Sequence, residues 1–358
     1  MQNSRRYLPI MIVLMMIAAA AVIALVFLNG GGGALAGLSR GSTTPRDDAQ
    51  LLTVRLSPDG NLAAVDVNGT PASRPNALRM VDTSSGSTKW SVSEGAIDFR
   101  NDTYMLGFTS DSSAFIVTGS VEGAAGDVIW YLDAETGDKT AEITLNEGET
   151  ALAANETYYV VSSGSTVTIT NRESGEVYFS HTFRTAPDFA RFTPDGGQLL
   201  TVHSNSGIRG YDFYLTDLAD PQVGDEPAFT GESLAAIDKA SPLISGDGKF
   251  LAFAIINGRG VFLINLETHQ PVFSRFGDQM TSELVSTVRF DALFGFLKDN
   301  TVFAYLTNEG ILYAVNTANG EIIEQVDLGL GTSPDSLSIS ANGKTLAVLH
   351  RDSLAVWR

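Results

Sequence analysis

Three features of the sequence predict an all-β fold, a single β-propeller of seven four-stranded blades preceded by one N-terminal transmembrane helix. The first is a phrase that recurs. RLSPDGNLAAVDV (Arg55 to Val67) returns as GFTSDSSAFIVTG, RFTPDGGQLLTVH, LISGDGKFLAFAI and SISANGKTLAVLH. The second is its period. Asp59, Asp111, Asn155, Asp195, Asp247, Asp299 and Asn342 mark turns spaced 40 to 52 residues apart, and periods in the forties with turn punctuation belong to four-stranded blades. The third is an uncharged apolar run ahead of the repeats, LPIMIVLMMIAAAAVIALVFL (Leu8 to Leu28).

As a helix that run spans about 30 Å, the thickness of a bilayer's hydrocarbon core. Arg5 and Arg6 precede it and no base follows until Arg40. The positive-inside rule then places residues 1–7 in the cytoplasm and the rest of the chain outside. A cleaved signal peptide is the alternative, with ALA (Ala34 to Ala36) as a small-x-small cleavage site. Against cleavage, the run exceeds the roughly 7–15 apolar residues of a signal sequence. Residues 29–49, rich in Gly and Ser, read as a flexible linker, and 50–358 as the propeller.

Each unit has one grammar. A short first strand ends in S/T-x-D-G, a tight turn in which Asp bonds its own backbone and Gly supplies the unusual dihedral. The second strand is nearly all apolar (LAAV, FIV, YYVV, LLTV, LAFA, VFAY, LAVL), which predicts burial on both faces. A third strand runs into a second turn, as in VDTSSGSTKW, LDAETGDKT, TNRESGEVYF, INLETHQPVF and VNTANGEII. The fourth strand is the most polar, as an outer edge requires.

The second turn carries a resemblance. Asp82, Gly86 and Trp90 stand as D-x-x-x-G-x-x-x-W, which resembles the tryptophan-docking motif of pyrroloquinoline-quinone-type propellers. Asn171, Gly175 and Phe179 keep that spacing, as do Asn316, Gly320 and Glu324, whereas Ala141 holds the docking position after Asp133 and Gly137. The first turn, with S-P-D-G and L-A-x-V, is similar to bacterial WD-repeat and related propellers. LAVWR puts Trp357 where such repeats carry their Trp, although Arg358 replaces the Asp. The resemblance covers residues 50 to 358 and implies a propeller. The last unit reaches only its third strand by Arg358, so residues near Thr43 to Leu51 are expected to supply its outer strand, because an open sheet edge invites aggregation.

Composition excludes several functions. The chain has 44% hydrophobic and 18% charged residues and a net charge of −18, enough apolar content for a large core. Four of its 23 bases lie in the acid-free stretch 1–46, so the remainder sets 19 bases against all 41 acids. Such a body repels phosphate backbones, and no nucleic-acid partner is expected. With no cysteine, disulfides, thiolate metal sites and cysteine nucleophiles are absent.

His181, His203, His269 and His350 never pair at metal-binding spacing. His269 takes the Gly position of a turn, while His203 and His350 read as loop decoration just past second strands. The one G-x-S-x-G, Gly37 to Gly41, lies in the Gly- and Ser-rich stretch and makes no strand-to-helix elbow, and GxxxxGK[ST] does not occur. The repeated Asp column reads as structural. No catalytic residue, cofactor or metal is expected.

The expected function is therefore that of a non-enzymatic, extracytoplasmic scaffold or accessory subunit of a cell-envelope or membrane complex. Residues 8–28 meet the lipid bilayer, and the long-loop face meets membrane or envelope proteins. The candidate interaction residues are Arg74, Arg209, Arg259 and Arg351, in loops joining second to third strands, where Arg suits planar contacts to carboxylates. Acids in the loops of that face, which also join one unit to the next and include Asp188, leave internal salt bridges as the alternative role for these arginines. Two enzyme readings stay open: a quinone-cofactor dehydrogenase, implied by the docking-motif resemblance, and a lactonase- or hydrolase-like propeller with an axial metal.

Overall fold

Successive residues of the second strands pack in opposite directions, and that alternation builds the ring. Ala63 packs toward blade 7 and Ala64 toward blade 2. The computed structural model describes residues 35, 38–43, 50–68, 77–93, 105–120, 126–207, 210–221, 226–231, 242–255, 260–276, 293–307, 309–331, 334–350 and 353–358. Among these residues the regular elements are all strands, arranged in seven antiparallel four-stranded sheets.

Blade 1 comprises β2 (Gln50–Leu56), β3 (Leu62–Asn68), β4 (Ala77–Asp82) and β5 (Thr88–Ser93). Blade 2 is β6 (Met105–Phe108), β7 (Ala114–Ser120), β8 (Asp127–Asp133) and β9 (Lys139–Thr144), and blade 3 is β10 (Thr150–Ala154), β11 (Tyr158–Ser163), β12 (Thr166–Asn171) and β13 (Val177–Thr182). Blade 4 follows with β14 (Pro187–Phe192), β15 (Gln198–Asn205), β16 (Gly210–Asp217) and β17 (Phe229–Gly231). Blade 5 has β18 (Leu243–Ile244), β19 (Phe250–Ile255), β20 (Gly260–Asn265) and β21 (Gln270–Phe276), and blade 6 has β22 (Phe294–Leu297), β23 (Val302–Leu306), β24 (Ile311–Asn316) and β25 (Ile322–Asp327). Blade 7 combines β26 (Ser336–Ile339), β27 (Leu346–His350) and β28 (Ser353–Trp357) with an outer strand from the start of the ring, β1 (Arg40–Thr43).

The core is divided into seven clusters, one at each junction between neighbouring blades. Each second strand feeds two of them, which is why it is apolar on both faces. The fourth strands repeat an exposed–exposed–intermediate–exposed pattern, as in β5, β9, β13 and β25. This is the expected polar rim.

Closure differs from the sequence expectation in one respect. The outer strand of blade 7 is Arg40–Thr43, whereas Gln50 and Leu51 begin the inner strand of blade 1. Arg40 pairs with Trp357, and just beyond them Ser39 and Arg358 exchange two backbone hydrogen bonds of 2.8 and 3.1 Å. Upstream, Leu35 is only 4% exposed in the cluster between blades 6 and 7, and its N–H donates to Glu324 Oε2 at 2.6 Å. The ring therefore begins inside the stretch 29–49 that composition marks as linker. Small polar residues and glycines disguise a strand whose role is to pair with β28, not to bury itself.

The apolar run Leu8 to Leu28 lies outside the described residues. Among the described residues no helix is long and apolar enough to cross a membrane.

Candidate functional site: the two faces of the ring

Antiparallel order gives the ring two unlike faces. Turns joining strands one to two and three to four share one end, the turn face. Loops joining strands two to three, and one blade to the next, share the other, the loop face.

The first turns are built alike in five blades. In blade 1 the buried Ser57 hydroxyl donates to Asp59 Oδ1 at 2.6 Å and accepts from the Leu62 N–H at 3.0 Å. Asp59 Oδ1 also accepts from the Asn61 N–H at 3.0 Å, and Gly60 turns the chain at φ 76°. Thr109 with Asp111, Thr193 with Asp195, Ser245 with Asp247 and Ser340 with Asn342 repeat the hydroxyl–Asx bond.

Blades 3 and 6 depart from this plan. Asn155 opens its turn, accepting from the Thr157 and Tyr158 N–H groups. In blade 6 Lys298, Asp299 and Asn300 all take positive φ, and Leu297 stands where a hydroxyl would be. The Asx column thus closes turns. At Asp111 the Thr109 hydroxyl and the Ser113 N–H hold the carboxyl below its ordinary range. At Asp59 burial pushes the other way, but bonds from Ser57 and Asn61 outweigh it and the net direction is down.

Neighbouring turns are stitched together. Asn342 of blade 7 donates to the Asp59 carbonyl at 2.9 Å, the Asp59 N–H to Ser112 Oγ at 3.3 Å, and Ser110 Oγ to Glu156 at 2.7 Å. Gly246 N–H donates to Asn300 Oδ1 at 3.0 Å.

Three second turns, those of blades 1, 2 and 4, accept such a contact at their second carbonyl. Trp90 Nε1 donates to the Ala134 carbonyl at 2.9 Å, Tyr178 Oη to the Leu218 carbonyl at 2.5 Å, and Ser42 Oγ to the Thr83 carbonyl at 2.6 Å. Between blades 2 and 3, where Ala141 cannot dock, blade 3 reaches back. The Arg172 guanidinium lies 4.8 Å from the Tyr131 ring centroid, and Tyr131 Oη donates to the Asn155 carbonyl at 2.9 Å. His269 holds φ 55° at the Gly position of its turn, as expected.

A cavity of about 250 Å³ lies on the axis, walled by the first strand of every blade. Pro58, Ser110, Glu156, Pro194 and Ala341 line its mouth, so it opens on the turn face. Its charged wall residues are Arg55, Arg191 and Glu156. Ser336 and Ser338 use their hydroxyls to accept from the Val54 and Leu56 N–H groups at 3.2 and 2.9 Å, sealing the junction of blades 7 and 1. Gly107, at φ 136°, faces open space. Among the described residues no three His, Asp or Glu side chains come together as a metal site.

On the loop face Arg74, Arg209, Arg259 and Arg351 all lie outside the described residues. By chain position each falls between the second and third strands of its blade, in blades 1, 4, 5 and 7. What is described there is braced internally. Asp188 accepts from both the N–H and the hydroxyl of Ser204 at 2.6 Å, and Asp212 accepts from Asn205 and Thr230.

His203 and His350 are not loop decoration. They end inside β15 and β27 and are 2% and 9% exposed. His203 sits between Phe183 and Tyr214, with ring centroids at 4.2 and 5.4 Å. Its Nδ1 faces the Thr185 carbonyl at 3.0 Å and its Nε2 the Thr201 hydroxyl at 3.2 Å. A carbonyl only accepts, so Nδ1 carries the proton of the neutral ring. Alternation along β15, where His203 follows the inward Thr201 by two, is the signal that would have placed it in the seam.

Set beside known proteins, the chain matches no family model and no curated relative.

Proposed function

We propose that this protein is a membrane-anchored, extracytoplasmic propeller that acts as an interaction scaffold or accessory subunit of a cell-envelope or membrane complex, engaging its partner through the loop face. The observation that carries the reading is Leu35. It is the middle residue of the small-x-small tripeptide Ala34 to Ala36, yet it is buried between blades 6 and 7 and hydrogen-bonded to Glu324. Cleavage after Ala36 would strip that side chain from the ring and leave the Glu324 carboxylate without its amide. Retention keeps residues 8–28 attached as the anchor.

The division of labour between faces supports the rest. The turns of the turn face spend their polar groups on one another, which suits a rigid frame. The long connections fall on the other face, and long loops on a rigid scaffold are where binding concentrates. Arg74, Arg209, Arg259 and Arg351 supply charge there for an acidic partner surface.

Purification of the full chain from membranes in mild detergent, compared with an Arg209→Ala/Arg259→Ala variant, tests the scaffold. Loss of a co-purifying protein at unchanged melting temperature is expected. A chain that is monomeric and partnerless in both forms refutes it. External protease should remove the ring from intact protoplasts, and protection of the ring would reverse the orientation.

A further inference from the structure

We infer that the turn face is the membrane-proximal side of this protein and that the loop face looks away from the bilayer. The inference rests on the anchor proposed above and on where the chain enters the ring. In blade 1, Val81 pairs with Thr88 just inside the second turn. In blade 7, Trp357 pairs with Arg40 in the same way. The Asp82 N–H donates to the Ser87 carbonyl, and the Arg358 N–H donates to the Ser39 carbonyl. Arg358 therefore takes the place of Asp82, and the chain before Ser39 takes the place of a second turn.

Two further contacts agree. Leu38 N–H closes a turn on the Leu35 carbonyl at 3.1 Å. Arg358 Nη2 donates to the Gly60 carbonyl at 3.3 Å and to Thr83 Oγ1, both in blade 1 turns. The chain thus joins the ring at its turn-face rim, beside blades 6, 7 and 1.

Length does the rest. With Leu35 pinned, only residues 29–34 separate the ring from Leu28, a reach of at most ~25 Å fully extended. A six-residue strand is ~20 Å tall. To turn the loop face toward the bilayer, the tether would have to climb the outside of a blade and use nearly all of that reach. Asp59 and Asp111, held ionised by their turns, repel an anionic leaflet and keep the rim from adsorbing onto it. The axial cavity then opens toward the membrane. A partner on the loop face must be an extramembrane domain, approaching from the side away from the lipid.

The sequence contains no cysteine, so single cysteines can report height above the bilayer. Asn319→Cys and Glu173→Cys mark the turn face, and Asp327→Cys and Ser163→Cys mark the loop end of the same blades, 6 and 3. All four native residues are exposed. Each variant of the full chain, dye-labelled and inserted into phosphatidylcholine vesicles carrying an acceptor lipid, is read by energy transfer.

Transfer from 319 and 173 should exceed that from 327 and 163 by at least about twofold, given the ~20 Å between strand ends. A long Gly-Ser insertion between residues 34 and 35 should erase the difference. Equal or reversed transfer from vesicle-bound chain overturns the orientation alone. Failure of the chain to float with the vesicles overturns the anchor and the orientation with it.

Discussion

The indole of Trp90, in the outer strand of blade 1, is seated on Gly137 in the second turn of blade 2. A Cβ at Gly137 would stand 2.8 Å from the indole, and the Trp90 N–H donates to the adjacent Ala134 carbonyl at 2.9 Å. The glycine serves both its own turn, at φ 80°, and the approach of the next blade. The Trp of the D-x-x-x-G-x-x-x-W stretch thus packs on the second turn of the next blade, and Tyr178 and Ser42 are the donors at two other junctions.

Gly137→Ala should therefore destabilise the ring by about 1–3 kcal/mol, because strain at positive φ and displacement of the indole add. Trp90→Phe keeps an aromatic ring on the glycine and removes only the hydrogen bond, costing about 1 kcal/mol. Denaturant unfolding of both variants should rank Gly137→Ala as the worse. The reverse order would mean that the indole does not rest on the glycine.

Ser57→Ala tests the first turn. The hydroxyl accepts the buried Leu62 N–H and donates to Asp59, so its loss strands a buried donor at a cost of about 1–3 kcal/mol. Ser57→Thr should restore most of the stability, since Thr109 and Thr193 make the same bonds in their own blades. Thermal unfolding measures both, and equal loss in the two variants would refute the hydroxyl's role.

His203 gives the ring a pH dependence. Burial pushes its imidazole below the ordinary value, against the raising pull of the Thr185 carbonyl and the Asp188 and Asp212 carboxylates. The folded ring then binds this proton less readily than the unfolded chain. Its stability contribution is complete above about pH 6.5 and is lost as pH falls through the lowered folded value. The melting temperature should decline between about pH 7 and 5, and His203→Leu should flatten that slope. Asp82 titrates elsewhere, because the Ser84 hydroxyl and the Ser85 N–H hold its carboxyl down at about 2. An unchanged slope in His203→Leu would assign the dependence to other groups.

Closure can be cut at will. A soluble chain beginning at residue 35 retains β1, whereas one beginning at residue 44 leaves β28 as an open edge. The shorter chain should self-associate, since an unpaired strand templates pairing with another copy. Sedimentation velocity should find the longer chain monomeric. A monodisperse, equally stable short chain would show that β1 is dispensable.

Blade number and strand order were legible in the sequence because both depend on local, repeated chemistry. S/T-x-D-G closes a hairpin through its own hydroxyl and carboxylate, and the apolar second strand must be buried between two neighbours wherever it sits. His269 was likewise readable, since its place in the turn alone demands a positive φ. What only the assembled ring decided involves partners far apart in the chain. Arg40–Thr43 became a strand because β28 lacked an outer neighbour, and nothing in GST announces that.

Leu35 looked like linker until Glu324 and the seam between blades 6 and 7 claimed it. His203 looked like a loop residue until Phe183 from blade 3 closed over it. The axial cavity opens at the turn face because the first turns of all seven blades meet there. Short-range hydrogen bonding writes itself into adjacent residues, whereas closing a circle joins residues some three hundred positions apart, such as Leu35 and Glu324, whose fit exists only once every blade between them is in place.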